Sequence, residues 1–424
     1  MSFTFEDMKE KIKYGINYGN ALECFIASPA VSHNVNYGVI DSNGIIHPVQ
    51  HVIQGYSTDY GNYEKIGDPT IFWSTEEVWG NPETTKSLID YYAGLGFTAM
   101  RLPVNLWWYY NLQTGGTDER WLNYIDTVVG WIIDAGMFCL IDMHCENYVA
   151  ITKDLRDDYA DLENSDRFNS IRKRWTALAV ALKHYPEDSL AFELLNEFTF
   201  GGGYDHKNDH NDDCHKLTAI YSKLIEAIRA TGDYNTDRLI GIDGYRGDNS
   251  ITAEHLHCFN DILKDKRNFV CVTGYLLSEF TFCYNESFGK KTFLDLNNDP
   301  DYDMRRSIND MCGTYEIKSL GYNQVAVEYG TYAYNEFTGT EEEIQKYREG
   351  CARLTYMERN LFKKLDIPCF VWDTGYIVDR KNCTIKSPEL YDAVFDKEDA
   401  DMDIYVDIIL KSLNDHPPIR DANK

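Results

Sequence analysis

The sequence predicts an α/β protein folded as a (β/α)8 TIM barrel, in one domain over residues 1–424. Eight short apolar runs recur along the 424 residues, each followed by a segment that can be helical, which is typical of βα units around a parallel sheet. Several runs are almost entirely apolar, as expected for strands buried on both faces. No G-x-G-x-x-G follows a strand, so a doubly wound open sheet has no motif in its favour. The predicted strands are 14–18, 97–102, 138–143, 190–195, 238–243, 269–274, 323–328 and 368–373.

The segments between these runs carry helix signals. In NPETTKSLIDYYAGLGF, Pro82 suits a first helical position and Gly94 or Gly96 can end the helix. Similar amphipathic patterns predict helices at 121–136, 170–185 and 215–232, and a final helix and tail between Asp396 and Lys424. Two long polar insertions, near 31–78 and 283–312, interrupt the repeat, and loops of that length usually serve a site or are disordered.

Composition restricts the classes of partner. Asp and Glu number 68 against 41 Lys and Arg, a formal charge of -27, which argues against nucleic acid or an anionic membrane as a partner. The 11 cysteines form no C-x-x-C pair, which favours buried free thiols in a reducing compartment. No apolar run approaches the roughly 18 residues of a membrane span. We expect a soluble protein, cytoplasmic or secreted after loss of a signal peptide, and the sequence does not indicate its oligomeric state.

Two glutamates end predicted strands. Glu197 in AFELLNE and Glu328 in QVAVEYG would both lie at the C-terminal rim of the barrel, where barrel enzymes act. Glycoside hydrolysis uses a pair of carboxyl groups, one to protonate the leaving oxygen and one to attack or to activate water. Taken alone, each glutamate could equally be a salt-bridged or solvated residue at a strand end.

Polar and aromatic residues at the neighbouring strand ends strengthen the first interpretation. They are Arg101, His144, Asn196, Tyr275 and Trp372. With them, the chain resembles glycoside hydrolase family 5 over nearly its whole length. The resemblance rests on YGINYGNAL, VWGNPETTKSLID, GFTAMRLPV, LIDMHCEN, ELLNE, VAVEYG and FVWDTG, in that order along the chain.

The resemblance implies a role for each of these residues. Glu197 would be the general acid and base, Glu328 the nucleophile, and Asn196 a donor or acceptor for the sugar 2-hydroxyl. Arg101 and Tyr275 would flank Glu328 and keep it ionised, while Glu197 stays protonated. The predicted separation of the two carboxyl groups is about 5 to 5.5 Å, as retention of configuration requires.

Aromatic residues are predicted to bind the sugar. Trp372 and His144 match residues that line the subsite at the cleavage point, although core packing or a structural histidine would also explain them. Trp107 and Trp108 could form neighbouring subsites, and packing within a loop or helix is the alternative for both.

The sequence departs from the family pattern at Thr273, where a histidine is usual. His255 or His257 could substitute for it. A loop with His206, Asp209, His210, Asp213 and His215 invites a zinc or calcium hypothesis, but a solvated loop explains it as well. We therefore predict no metal and no cofactor.

The segments GNAL and WGNPETT look most like the endoglucanase branch of the family. They imply a retaining enzyme that cleaves β-1,4-linked glucan, either cellulose-like or mixed-linkage, as polysaccharide or oligosaccharide. A β-mannanase, a xyloglucanase and an exo-acting β-glucosidase remain open within the family. A carbohydrate-binding barrel without turnover is the alternative from another class, and Thr273 is its motivation.

Overall fold

The computed structural model describes residues 3–24, 80–106, 119–144, 157–200, 210–277, 300–331, 339–395 and 399–415, with short strands and single residues between them. Within these residues, eight parallel strands close into a barrel in which sequence neighbours pair and the first strand pairs with the last. This confirms the predicted fold class. The strands are β1 Gly15–Tyr18, β2 Ala99–Val104, β3 Phe138–Met143, β4 Leu190–Glu193, β5 Ile240–Asp243, β6 Asn268–Thr273, β7 Gln324–Tyr329 and β8 Cys369–Asp373.

Helices surround the barrel. They are α1 Phe5–Lys11, α2 Lys86–Gly94, α3 Glu119–Asp134, α4 Asp166–Leu182, α5 Asn211–Arg229, α6 Asn249–Glu254, α7 Asn260–Leu263, α8 Pro300–Ser319, α9 Glu341–Lys364, α10 Pro388–Val394 and α11 Ala400–Asp415. The 3-10 helices are Asp157–Asn164, Asp233–Thr236, Tyr245–Gly247 and Leu256–Phe259.

The expected start of α2 was wrong. Thr85 is its N-cap and accepts a hydrogen bond from the Leu88 amide, so Pro82 precedes the helix. The start of α4 was also placed too late, because Ser165 caps it by accepting from the Phe168 amide at 3.1 Å. Side-chain caps therefore set both boundaries, as they commonly do.

The lower half of the barrel interior is apolar and is closed by the N-terminal helix. Phe5 and Met8 of α1 and the following Ile12 pack against inward-facing side chains of the strands. Those side chains are Ala99, Phe138, Leu140, Ala191, Phe269, Cys271, Val325, Val327 and Phe370. Since side chains alternate along a strand, the next inward positions lie one layer higher, and that layer is polar.

Strand β7 breaks this alternation at its end. Val325 and Val327 face the interior while Ala326 and Tyr329 pack against the helices. Val272 pairs with Ala326, but its neighbour Thr273 pairs with Glu328, so one extra residue is inserted in β7. A β-bulge of this kind redirects side chains. It allows Glu328 to face the interior, where strict alternation would place it outside.

The two predicted insertions differ from expectation. The first, 31–78, contains strands Asn34–Ile40 and Ile46–Val52, which pair in a second sheet with Ile26–Ser28, Tyr109–Asn111 and Gly116–Thr117. The predicted end of the second insertion, 283–312, was wrong, because α8 already begins at Pro300. A hairpin of Val378–Asp379 and Thr384–Ile385 follows β8.

The described cysteines and helices bear on two expectations from the composition. These cysteines are all free, and Cys139, Cys214 and Cys351 are among the buried ones, as predicted. None of the described helices is long and apolar enough to cross a membrane.

Candidate active site

The polar layer at the top of the barrel is organised by Arg101 on β2. Its side chain is fully buried. Nε and Nη2 donate to the two carboxylate oxygens of Glu193 at 2.8 and 2.6 Å, and Asp142 Oδ2 lies 3.2 Å from Nη2. A guanidinium that binds a carboxylate with two nitrogens is fixed in orientation. The remaining donors of Arg101 are therefore aimed at the predicted catalytic residues.

Glu328 receives one of those donors. Arg101 Nη1 donates to Glu328 Oε1 at 2.9 Å, and the Tyr275 hydroxyl donates to Glu328 Oε2 at 3.0 Å. Both carboxylate oxygens thus accept hydrogen bonds, which is the arrangement that suits the anion. Burial and the charge of Glu328 raise the pKa of Tyr275 well above its ordinary value, so the hydroxyl keeps its proton to donate.

Asn196 is oriented by the same arginine. Arg101 Nη2 donates to Asn196 Oδ1 at 2.7 Å, and Asn196 is buried. Because the oxygen of the amide faces Arg101, its Nδ2 donor is turned to the opposite side. The structure thus brings Arg101, Asn196, Tyr275 and Glu328 together.

Glu197 is held from β5. Its backbone is in the left-handed region, with φ of 47°, which is uncommon for a residue other than glycine. Asp243 Oδ2 accepts a hydrogen bond from the Glu197 amide at 2.8 Å. A Cβ at Gly247 would lie 2.8 Å from Glu197 Cγ, so only glycine allows this close approach. The Thr273 hydroxyl donates to Glu197 Oε1 at 3.4 Å, which is long for a hydrogen bond.

The electrostatic surroundings of Glu197 differ from those of Glu328. Burial, followed by repulsion from Glu328, raises the pKa of Glu197 to about 7, although His144 and Arg101 oppose the shift. Burial also raises the pKa of Glu193 to about 7. Burial and repulsion from Glu193 raise the pKa of Asp243 well above its usual range. Carboxyl groups that hold protons at neutral pH are common at sites of acid catalysis.

His144 and Trp372 pack against each other. Their ring centroids are 5.8 Å apart and the planes differ by 20°. Asp142 Oδ2 lies 2.8 Å from His144 Nδ1. Burial lowers the pKa of His144, but the charge and hydrogen bond of Asp142, together with the charge of Glu328, outweigh it and raise this pKa to about 9. The two rings are thus stacked on each other, and their roles in binding sugar stay predictions.

The remaining predicted residues are two tryptophans and two histidines. Trp107 and Trp108 lie outside the described residues. The two proposed substitutes for the missing histidine, His255 and His257, contact other residues. His257 Nε2 lies 3.0 Å from Asn211 Oδ1, and the His255 ring packs against the His257 ring.

Three buried acids of the site were missed by sequence reasoning. Asp142, Glu193 and Asp243 each lie within an apolar predicted strand, and all three are almost completely buried. A carboxylate in the middle of such a run has to find a buried partner, because an unpaired one is costly. That signal was present in FCLIDM, AFELL and RLIGID.

Comparison with known proteins agrees with this geometry. The model of the family Cellulase (glycosyl hydrolase family 5) matches residues 56–377. The chain belongs to glycoside hydrolase family 5, as its resemblance predicted.

Individual relatives share only a low sequence identity with the chain. The chain is 26% identical over 353 residues to the cellulase/esterase CelE of Acetivibrio thermocellus, and this match covers 77% of the chain and 38% of CelE. It is 27% identical over 314 residues to endoglucanase A of Clostridium longisporum, covering 73% of the chain and 55% of that protein. The chain thus spans about half or less of the length of these two relatives.

Solved structures share the fold. A xyloglucanase of family 5 from Bacteroides ovatus, in complex with a heptasaccharide, superposes with a TM-score of 0.72 at 18% identity, covering 93% of this chain and 76% of the other. A broad specificity endoglucanase from Clostridium longisporum gives a TM-score of 0.66 at 20% identity, covering 93% and 98%.

Asp243 provides a test of how Glu197 is held. Burial raises the pKa of Asp243 well above its usual range, and Asp243→Asn is a neutral replacement that keeps an oxygen able to accept from the Glu197 amide. We expect Asp243→Asn to keep most of the activity and Asp243→Ala to lower kcat roughly tenfold to a hundredfold through misplacement of Glu197, with little change in KM. Steady-state kinetics on a soluble glucan would measure both. Equal losses in the two variants would contradict the role of the acceptor oxygen.

Proposed function

We propose that the protein is a retaining β-glycoside hydrolase in which Glu328 is the nucleophile and Glu197 the general acid and base. The difference between the two carboxyl groups carries this proposal. Glu328 accepts hydrogen bonds from Arg101 and Tyr275 on its two oxygens, while the pKa of Glu197 is raised to about 7. One group is thus suited to attack and the other to give up a proton.

The reaction follows from these roles. Glu197 transfers its proton to the glycosidic oxygen as the bond from that oxygen to C1 breaks, and a Glu328 oxygen forms an ester bond to C1 from the other side. Glu197, now ionised, takes a proton from water, whose oxygen attacks C1 and releases Glu328. Two inversions give retention. A carboxyl separation of about 5 to 5.5 Å stays a prediction of this mechanism.

The proposed substrate is β-1,4-linked glucan, cleaved within the chain. Support comes from the relatives, since those at 24 to 27% identity over 68 to 77% of the chain are named cellulase or endoglucanase. Asn196, turned by Arg101, would contact the sugar 2-hydroxyl, and Trp372 with His144 would support the ring. Hydrogen bonds to that hydroxyl strengthen as the transition state forms.

Removing the nucleophile tests the assignment of roles. Glu328→Ala should lower kcat at least roughly 10⁴-fold, as expected for loss of a covalent nucleophile. Azide should restore part of the turnover on an aryl β-cellobioside and give the α-glycosyl azide, since it attacks the face that Glu328 occupied. Azide with Glu197→Ala should give the β-glycosyl azide, because the covalent intermediate still forms. Product anomers are read by ¹H NMR.

Glu10→Ala, at an exposed position of α1, is the matched control and should behave as the wild type. The same azide anomer from both active-site variants would overturn the roles. A wild-type protein that binds cello-oligosaccharides without any turnover would favour the binding barrel instead.

The pH dependence tests the proton on Glu197. Its raised pKa means that the group is protonated below about 7 and loses the proton as the pH rises through that value. We expect kcat/KM on cello-oligosaccharides to fall above about pH 7. The fall should be weak on a dinitrophenyl β-cellobioside, whose leaving group needs no protonation. An equally steep fall on both substrates would assign the limb to another group.

A product profile tests the substrate and the mode of cleavage. We expect carboxymethyl cellulose and mixed-linkage β-glucan to lose viscosity early, before reducing ends accumulate, and cello-oligosaccharides to be cut at internal bonds. The measurement is viscometry with chromatography of the products, with mannan and xyloglucan run in parallel. Release of glucose alone from chain ends would support the exo-acting alternative, and preference for mannan would reject the glucan proposal.

A further inference from the structure

Four side chains with metal-binding atoms meet outside the barrel, where α5 packs against the 3-10 helix Leu256–Phe259. Asn211 and His215 are four residues apart on α5 and so share one face of that helix. His257 and Cys258 come from the 3-10 helix. The ligand atoms of His215, His257 and Cys258 all lie within 4.8 Å of one another.

His257 and Cys258 have the spacing of ligands on one ion. Cys258 Sγ is 3.5 Å from His257 Nε2. A tetrahedral zinc ion with Zn–N of about 2.0–2.1 Å and Zn–S of about 2.3 Å separates these two atoms by roughly 3.5 Å. Asn211 Oδ1 lies 3.0 Å from Nε2 and 3.4 Å from Sγ, which places an oxygen beside both ligands.

We propose that His215, His257 and Cys258 bind a zinc ion, with Asn211 Oδ1 or a water at the fourth position. Two imidazoles and a thiolate favour zinc over calcium and magnesium, which prefer oxygen ligands. Binding forms the bond from Cys258 Sγ to zinc and releases the thiol proton to solvent. His215 is exposed, His257 half-buried and Cys258 buried, so an ion can enter from the solvent side.

This site differs from the metal hypothesis raised by the sequence. Of that set, His206 and Asp209 lie outside the described residues. The His210 ring packs against Tyr245 with centroids 5.3 Å apart, and Asp213 forms a hydrogen bond with Tyr245. Of that set only His215 joins the new cluster, in which Asn211 also comes from α5, while His257 and Cys258 come from a segment about 40 residues later. The proposal thus departs from the expected absence of a metal.

The position of the site gives the ion a structural role. The connection that follows Glu197 ends where α5 begins, and the 3-10 helix follows β5 and α6 along the chain. An ion held by both segments links the element after β4 to the element after β5. Since none of its ligands belongs to the proposed catalytic set, activity in the absence of zinc should persist, and thermal stability should depend on zinc.

Cobalt substitution provides a direct test. Chelator-treated full-length protein is titrated with Zn²⁺ and, separately, with Co²⁺ as a spectroscopic probe. We expect one equivalent of each ion to bind, a rise in the thermal unfolding midpoint with zinc, and a thiolate-to-cobalt charge-transfer band together with intense tetrahedral d–d bands. Because Cys271 lies beside Glu193 and Asp243 in the barrel, loss of the band in a Cys258 variant is needed to assign the thiolate to this site.

Variants identify the ligands. Cys258→Ser should abolish the charge-transfer band, and His215→Ala, at an exposed position that does not threaten folding, should abolish stoichiometric binding. His184→Ala and Cys383→Ser, elsewhere on the molecule, are the matched controls and should bind like the wild type. The proposal is overturned if the wild type binds no stoichiometric zinc, if its cobalt complex lacks the thiolate band, or if His215→Ala retains full binding.

Discussion

The site depends on one desolvated cation, the guanidinium of Arg101. Apolar side chains and α1 close the barrel below it, so Arg101 has to obtain its hydrogen bonds from protein groups. Glu193 fixes the plane of the guanidinium, and this plane determines where Asn196 and Glu328 receive their hydrogen bonds. Removing one partner of a buried ion pair typically costs about 3–5 kcal/mol. The stability of the barrel and the geometry of the site therefore depend on the same buried ion pair.

The same arrangement makes the two glutamates unequal. Glu328 lies in direct contact with Arg101, which compensates its charge. The carboxyl group of Glu197 instead accepts a long hydrogen bond from the Thr273 hydroxyl, at 3.4 Å, and the charge of Glu328 acts on it through a buried interior. Low dielectric strengthens that repulsion. The cluster that stabilises an anion on β7 thus favours a proton on Glu197.

The sequence predicted what depends on local pattern. Apolar runs located all eight strands to within a few residues, and the residues at strand ends predicted Glu197, Glu328 and Arg101 as site residues. What it missed depends on tertiary contacts. Strict alternation would turn Glu328 out of the barrel, and only the register shift against Thr273 turns it inward. The roles of Asp142 and Glu193 require knowing that both meet Arg101. Pro82 was misplaced because the cap at Thr85 determines where α2 begins.

Thr273 illustrates how a site tolerates the loss of an expected partner. From β6, Glu197 receives only a long hydrogen bond. On the β5 side, however, Asp243 Oδ2 accepts a hydrogen bond from the Glu197 amide at 2.8 Å. In the connection after β5, the Arg246 amide donates to the Phe198 carbonyl at 2.9 Å, and Gly247 leaves room for the Glu197 side chain. A residue with φ of 47° persists only where neighbours hold it, and here Asp243, Arg246 and Gly247 do so. Glu197 is therefore positioned mainly through β5 and the connection after it, without a histidine from β6.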